Sequence, residues 1–207
     1  MNEIANWLST QSEKHMVLGY GSLLSKDSRE RYSNIFTPGI PVTASGFERA
    51  WVTRSLHEKQ TYVGAVANAH SKLNAQLIPT QINPALQERE KDYRFVEVSP
   101  EALNFHLHQH NESAPLENVL SQFTFWICET LECTQANNDY PVHQTYIDTC
   151  LSGCLEHGGI EEAERFIVHT SLWEHPRVND RANPKYPRAA VVNPDHFEHI
   201  DRLLSKR

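Results

Sequence analysis

A tyrosine between two glycines follows the first apolar run of the chain. Gly19-Tyr20-Gly21-Ser22-Leu23-Leu24 comes directly after Met16, Val17 and Leu18. Glycine lacks the Cβ atom that limits backbone conformation, so this spacing lets successive N–H groups converge on one point. Such a turn can bind an anion without a charged side chain. It lacks the further glycines or the Gly-Lys-Ser/Thr ending of nucleotide-binding loops, and a purely structural turn is the alternative.

A second candidate is the charge-dense stretch that runs from Leu86 to Tyr93. Within it, Glu88, Glu90 and Asp92 alternate with two basic residues. One interpretation is a solvated face, as in most charge runs. The other is that one carboxylate faces a pocket with apolar walls, where burial would raise its pKa towards a value useful for a general base. The charge pattern by itself favours none of the three.

Together these stretches resemble the gamma-glutamylcyclotransferase-like family in order and spacing. The resemblance covers roughly residues 16–155. It includes the family's later tyrosine-bearing helix, which is similar to Tyr146-Ile147-Asp148-Thr149-Cys150-Leu151-Ser152-Gly153. The other matching segments are residues 20–23, Gly46-Phe47-Glu48-Arg49-Ala50-Trp51, residues 86–90 and residues 93–98.

The resemblance implies an α+β fold, described as a small mixed β-barrel with flanking helices. It implies that Glu90 is the catalytic carboxylate, which takes a proton from the α-ammonium of a gamma-glutamyl group. The freed amine then attacks the γ-carbonyl of the same residue and releases 5-oxoproline. Neither a metal nor a cofactor is implied. The backbone amides that would hold the α-carboxylate of this small-molecule substrate belong to Tyr20, Gly21, Ser22 and Leu23.

Tyr93 and Tyr146 stand where the family has pocket tyrosines, so the resemblance assigns both to substrate contact. A core tyrosine with a satisfied hydroxyl is the alternative for each. The chain departs from the family pattern at Gln87, where aspartate is usual, and at Lys91, where glycine often follows the glutamate. These departures affect the expected substrate more than the expected fold. A non-catalytic module of the same fold, binding a small ligand or a protein, is therefore the alternative function.

No residue identifies the group attached to the gamma-glutamyl unit. One set of polar residues near the C-terminus either lines the open end of the pocket and selects that group or forms a surface tail. This set is Asp180, Arg181, Lys185, Tyr186 and Arg188.

Histidines offer a competing metal site. His106, His108 and His110 alternate, so on a strand they would share one face, as zinc ligands can. In a polar excursion they would face solvent instead.

Cysteines offer two more alternatives. Cys128, Cys133, Cys150 and Cys154 lack the tight Cys-x-x-Cys spacing of zinc knuckles. The last two fit the apolar face of a helix, which favours core packing. A cysteine nucleophile would need a histidine brought near it by the fold, and the candidates are His143 and His157.

Apolar periodicity and turn residues predict the elements that position these groups. The predicted strands are 16–18, 47–52, 62–67, 76–78, 93–98 and 123–128. The predicted helices are a short opening helix over 4–8, one from Asn83-Pro84 towards Glu90, one over 146–155 closed by Gly158-Gly159, and one over 197–204. The stretch 104–118 is predicted as a polar excursion, and 183–188 as irregular.

Composition predicts one ordinary globular unit over residues 1–207, with a C-terminal extension at about 160–207 beyond the resemblance. Hydrophobic residues make up 39% of the chain and charged residues 22%. The net charge of −7 argues against a nucleic-acid partner, because phosphate binding needs a basic face. We expect no membrane partner and a cytoplasmic location, since neither a leader-like nor a membrane-spanning apolar run occurs. The sequence does not set the oligomeric state.

Overall fold

The computed structural model describes residues 3–105 and 113–206, apart from the side chains of residues 113–115. The helices are α1 (Glu3–Ser9), α2 (Lys26–Ser33), α3 (Pro84–Arg89), α4 (Ser113–Leu120), α5 (Gln144–Val168) and α6 (Pro194–Leu204). The strands are β1 (His15–Gly19), β2 (Ile40–Ser55), β3 (Gln60–Pro79), β4 (Tyr93–Val98), β5 (Leu103–Phe105), β6 (Thr124–Thr130), β7 (Val142–His143), β8 (Thr170–Ser171) and β9 (Arg177–Val178). Short 3₁₀ turns span Ser22–Leu24 and Pro100–Ala102.

Seven strands of the described chain form one mixed sheet in the order β4-β6-β1-β3-β2-β5, with β8 beside β2. Strands β1 and β6 run parallel. Strand β3 pairs with β1 and, beyond the end of β1, also meets β6 at Ala65 and Glu129. Because β3 contacts both of these strands, the sheet curls into a half-barrel. The structure thus confirms the predicted α+β class with a curled sheet and flanking helices.

The main core lies where the sheet packs against α5. Trp51, Leu77, Ile127, Ile147 and Phe166 are all buried there, and they come from strands and helix alike. The side chains of successive strand residues point to opposite faces, so one face of each strand supplies this core. No helix of the described residues is long and apolar enough to cross a membrane.

The β2–β3 hairpin differs from the prediction. The strands predicted at 47–52 and 62–67 are segments of two much longer strands, and the strand predicted at 76–78 is the end of β3. Gly46, with a φ of 88°, lies at a register shift between Ser45 and Phe47. A bulge at this point bends the strand without ending it. Turn-forming residues therefore mark a bend here and not a boundary.

Helix α5 contains a break at the predicted boundary. Gly159 has a φ of 64° and a ψ of −155°, which are not helical values, so Gly158-Gly159 closes the helical segment over 146–155 as predicted. A second helical segment, which was not predicted, follows directly and continues to Val168. It is stabilised by an apolar stretch in which Ala163 and Phe166 are buried in the core.

The stretch 104–118 was predicted as an excursion, and its described parts are regular. Its beginning belongs to β5, which pairs with β2, and residues from Ser113 onwards form α4. This part of the prediction is wrong. His106, His108 and His110 lie outside the described residues. The opening helix, the helix after Asn83, strand β4 and the C-terminal helix lie where they were predicted.

Candidate active site

A cavity of about 470 Å³ opens beside the curled sheet, α3 and α5. Its wall is assembled from seven segments: the end of β1 with the turn after it, α2, the end of the β2–β3 hairpin, the stretch from α3 into β4, β6, α5 and the stretch before α6. Every residue that the resemblance assigns to substrate or catalysis lies on this wall. These residues are Tyr20, Gly21, Ser22, Leu23, Glu90, Tyr93 and Tyr146.

Glu90 lies where α3 gives way to β4. Asn83 caps the start of this helix, with its side-chain oxygen accepting from the Leu86 N–H at 2.8 Å. At the other end, the Glu90 N–H donates to the Leu86 carbonyl and the Glu90 carbonyl accepts from the Tyr93 N–H, both at 3.0 Å. These bonds fix the backbone on both sides of the carboxylate.

The Glu90 side chain is only 11% exposed. Burial raises the pKa of its carboxyl group, and the opposing effects come from Arg89, from Arg188 and from a hydrogen bond with Cys128. Because burial outweighs these opposing effects, the Glu90 carboxyl is protonated more readily than a carboxyl in water. This suits a group that accepts a proton and then returns it.

The neighbouring carboxylates are more open to solvent. Glu88 is 77% exposed and pairs with Lys91 at 3.0 Å, on the rim of the cavity. Asp92 is partly buried, and this burial raises the pKa of its carboxyl group. Gln87 is exposed, and Lys91 is not among the described residues with a positive φ. A side chain in place of the family's glycine is therefore accommodated without backbone strain.

The turn at 20–24 lies against α5 and the hairpin. A Cβ atom on Gly21 would lie 2.8 Å from the Tyr146 hydroxyl, so glycine is what allows this close approach. The amides of Leu24 and Ser25 donate back to the carbonyls of Gly21 and Ser22. Within the described loops and turns, no hydrogen bond is donated by the amides of residues 21–23. These three N–H groups are the ones that a bound anion could use.

The hydroxyls of Tyr20 and Tyr93 both bond to backbone groups of the sheet. The Tyr20 hydroxyl donates to the Cys128 carbonyl and accepts from the Ala65 N–H at 3.0 Å, so it ties the turn to the sheet. The Tyr93 hydroxyl donates to the Val63 carbonyl at 2.8 Å. Both side chains therefore line the cavity while their hydroxyls hold the fold.

Tyr146 belongs to an aromatic wall at the start of α5. Its ring centroid lies 4.7 Å from that of Tyr62 and 4.9 Å from that of Tyr186. On its other side it makes an edge contact with Trp51, at 5.9 Å. The rings form an apolar surface that faces the turn.

Glu58 and Tyr62, near the hairpin end, complete the wall and were missed by sequence reasoning. Glu58 binds Arg188 at 2.9 Å and also accepts a hydrogen bond from the Tyr62 hydroxyl. The pKa of the Glu58 carboxyl is held below its usual range: burial acts to raise it, and the bonds from Tyr62 and Arg188 outweigh burial. Local sequence carries no signal for this group, because long-range packing brings residue 188 to the hairpin.

Only part of the C-terminal polar set reaches the cavity. Tyr186 and Arg188 line it, and the Tyr186 hydroxyl donates to Ser22 Oγ at 2.6 Å. Asp180 instead caps α5 by accepting from the Thr145 N–H at 2.9 Å and from its hydroxyl at 2.6 Å. The other two side chains do not line the cavity: Arg181 pairs with Asp148 and Asp201, and Lys185 bonds Asp180 through its backbone N–H.

The cysteine alternatives are not supported by the geometry. Cys150 and Cys154 are buried in the core, and burial raises the pKa of the Cys150 thiol to about 12. His143 bonds Gln60 at 3.0 Å, and His157 bonds the Leu24 carbonyl at 2.5 Å. Within the described residues, no cluster of histidine, cysteine and acidic side chains could hold a metal ion.

Neither a family model nor a curated protein matches the sequence. Solved structures do match. A gamma-glutamyl cyclotransferase is similar over 93% of this chain and 99% of its own, with a TM-score of 0.56 and 12% identity. YkqA from Bacillus subtilis is similar over 82% of this chain and 58% of its own, with a TM-score of 0.54 and 12% identity.

An uncharacterised protein from Homo sapiens is similar over 90% of this chain and 97% of its own, with a TM-score of 0.52 and 13% identity. At these identities the likeness concerns the path of the backbone and not the side chains of the site. The matched regions extend well beyond residues 16–155 and include most of the C-terminal segment. The chain therefore has the gamma-glutamyl cyclotransferase fold.

Proposed function

We propose that this chain is a gamma-glutamylcyclotransferase-type enzyme that converts a gamma-glutamyl compound into 5-oxoproline and a free amine or peptide. One observation carries the proposal. The buried carboxylate of Glu90 lies on the wall of the same cavity as the turn with three unused amides. A gamma-glutamyl group presents a carboxylate and an ammonium on one carbon, so it needs an anion site and a base close together.

The turn at 20–24 is the proposed site for the substrate α-carboxylate. The amides of Gly21, Ser22 and Leu23 would donate to it, which requires no cationic side chain. Ser22 Oγ is already engaged with Arg89 and Tyr186, so the backbone and not this hydroxyl is the expected donor. The aromatic wall of Tyr62, Tyr146 and Tyr186 would exclude water around the aliphatic part of the substrate.

Glu90 is the proposed acid and base. Its carboxylate takes one proton from the α-ammonium, and the resulting amine attacks the γ-carbonyl to form a five-membered ring. Glu90 returns this proton to the leaving nitrogen, and the bond from the γ-carbon to that nitrogen breaks. Glu90 then takes a second proton from the ring nitrogen, which becomes the neutral lactam N–H, and passes it to the released amine, which leaves as an ammonium. Atoms and charges balance within the substrate and one carboxyl group. Because the attack is intramolecular, holding the substrate folded supplies much of the rate enhancement.

The partner in this proposal is a small gamma-glutamyl molecule, and the compartment is the cytoplasm. Four unpaired thiols, three of them buried, fit a reducing environment. Tyr186 and Arg188 lie on the cavity wall and are the proposed contacts for the group attached to the gamma-glutamyl unit.

The test is 5-oxoproline release from a panel of gamma-glutamyl compounds that includes glutathione, gamma-glutamyl amino acids and gamma-glutamyl amines. Glu90→Gln keeps the shape of the side chain and removes the base, so we expect kcat to fall by a factor on the order of 10² or more. Glu97→Gln, which changes an exposed carboxylate on β4, is the matched control and should retain wild-type activity. Silence of the folded wild-type protein across the panel would favour a binding module of the same fold, which binding of the same compounds without turnover would demonstrate.

A further inference from the structure

Arg89 is a buried cation between the proposed anion site and the proposed base. Its side chain is 2% exposed. One terminal nitrogen, Nη2, donates to Ser22 Oγ at 2.8 Å and to Ser28 Oγ at 3.0 Å. The other, Nη1, donates to Ser33 Oγ at 2.9 Å and to the Ser28 carbonyl at 3.2 Å. All four acceptors are neutral oxygens, so these bonds orient the guanidinium but do not balance its charge.

The remaining nitrogen of Arg89 faces Glu90. Its Nε atom is buried without a hydrogen-bond acceptor among the described residues and lies 3.6 Å from Glu90 Oε1. In the described part of the chain, Glu90 is the acidic side chain that pairs with Arg89. A buried cation is costly unless a negative charge lies near it, and a buried carboxylate is costly for the same reason. Each of these charges therefore lowers the cost of the other.

We propose that Arg89 is a positioning residue that ties Glu90 to the anion-binding turn and keeps its carboxylate in the charged, proton-accepting form. The inference rests on the proposed function for its catalytic meaning. Through Ser22 the guanidinium fixes the turn, and through its charge it acts on the base. One side chain thus sets both the place of the substrate carboxylate and the protonation of the group that takes a proton from the neighbouring ammonium.

Several groups face Glu90 besides Arg89, and each contributes to its titration. Burial raises the pKa of the Glu90 carboxyl, and Arg89 is the strongest of the effects that lower it. Arg188 lowers it from the C-terminal segment, and the Cys128 thiol does so from β6. Asp92 raises it from the α3–β4 junction. The hydroxyls of Tyr20 and Tyr93 are neutral neighbours.

The test compares Arg89→Gln with Arg89→Lys. Arg89→Gln removes the charge, so the titration of Glu90 should move to higher pH, and kcat/KM at pH 7 should fall by roughly tenfold or more. Arg89→Lys keeps the charge, so Glu90 should titrate as in the wild-type protein. Lysine cannot reach all three serines at once, so KM should still exceed the wild-type value. Arg202→Gln, which removes an exposed cation in α6, should leave the titration unchanged.

The titration of Glu90 is measured by NMR of ¹³C-labelled glutamate side chains, with Glu90→Gln assigning the signal. This readout does not require turnover. If the wild-type protein is inactive but Arg89→Gln still moves the titration, the proposed function fails and the coupling stands. If Arg89→Gln leaves both the Glu90 titration and the pH profile unchanged, the inference is overturned.

A second pair of variants keeps the test valid should Arg89→Gln fail to fold. Ser22→Ala removes the acceptor for both Arg89 and Tyr186, whereas Tyr186→Phe removes only the Tyr186 bond. We expect KM to rise further in Ser22→Ala than in Tyr186→Phe, by about threefold to tenfold, because a charge-assisted bond is lost. Equal KM values in the two variants would contradict a link from Arg89 to the turn.

Discussion

Glu90 is the residue at which stability and the proposed chemistry oppose each other. Burial raises the pKa of its carboxyl group, so the folded protein holds this proton more tightly than the unfolded chain does. An unfolded glutamate titrates near pH 4.3, and above that pH the unfolded state has lost a proton that the folded state still favours. The free energy of unfolding therefore falls as pH rises from the unfolded pKa to the folded pKa.

We predict that Glu90→Gln unfolds less easily than the wild-type protein at pH 8. The gain should be less than about 1 kcal/mol, because a neutral amide replaces the buried carboxylate but leaves Arg89 without its counter-charge. The difference should vanish below pH 4, where the glutamate is neutral in both states. Urea unfolding at the two pH values measures it, with Glu97→Gln as the exposed control. Equal stability of Glu90→Gln and wild type at pH 8 would contradict the cost assigned to this carboxylate.

At the scale of elements, the site depends on how closely α5 approaches the turn after β1. A Cβ atom on Gly153 would lie 2.4 Å from the carbonyl carbon of Leu24 and from the nitrogen of Ser25. Both are backbone atoms and cannot rotate away. The absence of a side chain at Gly153 thus sets the distance between the helix that carries Tyr146 and the turn that carries the proposed anion site.

Gly153→Ala should therefore move the turn. We expect a loss of about 1–3 kcal/mol in the free energy of unfolding, as for overpacked cores, with a rise in KM for an active substrate. Glu164→Ala introduces the same side chain on the exposed face of α5 and should change neither quantity appreciably. Chemical denaturation and steady-state kinetics are the measurements. Unchanged stability of Gly153→Ala would show that the turn has room to shift.

At the scale of the whole molecule, the cavity is closed by contacts between the hairpin and the stretch before α6. Arg188 and Glu58 pair across this gap with side chains 20% and 16% exposed. The Arg188 carbonyl accepts from Ser28 Oγ at 2.8 Å, which fastens the same stretch to α2. The C-terminal segment is thus a structural part of the site, although the resemblance in sequence ends before it.

A double-mutant cycle with Glu58→Gln and Arg188→Gln should give a coupling free energy of about 1–3 kcal/mol, because water screens this pair little. The exposed pair Lys26–Glu30 is the matched control and should give less than about 0.5 kcal/mol. The pKa of Glu58 is lowered in the folded state. Its coupling should hold above the unfolded pKa and disappear as pH falls through the folded one. A coupling as small as that of the control would mean that the pair does not fasten the hairpin.

The sequence by itself determined the local features of the site. Asn83-Pro84 predicted the start of the helix that ends at Glu90, and Gly19-Tyr20-Gly21 predicted the turn, because caps and turns depend on residues a few positions apart. The charge pattern left Glu88, Glu90 and Asp92 equivalent. The family resemblance selected Glu90, and the structure separates them by burial.

Tertiary structure alone decided the rest. Gly46 bends strand β2 without ending it, because the strand continues to pair on both sides of the bulge, so a local turn preference loses there to the pairing of segments distant in sequence. The same holds for the place of Glu58 and Arg188 in the cavity wall. Arg89 shows the reason most clearly: in the sequence it is one member of a charge run, and only the folding of α2, α3 and the turn onto one another buries its charge beside Glu90.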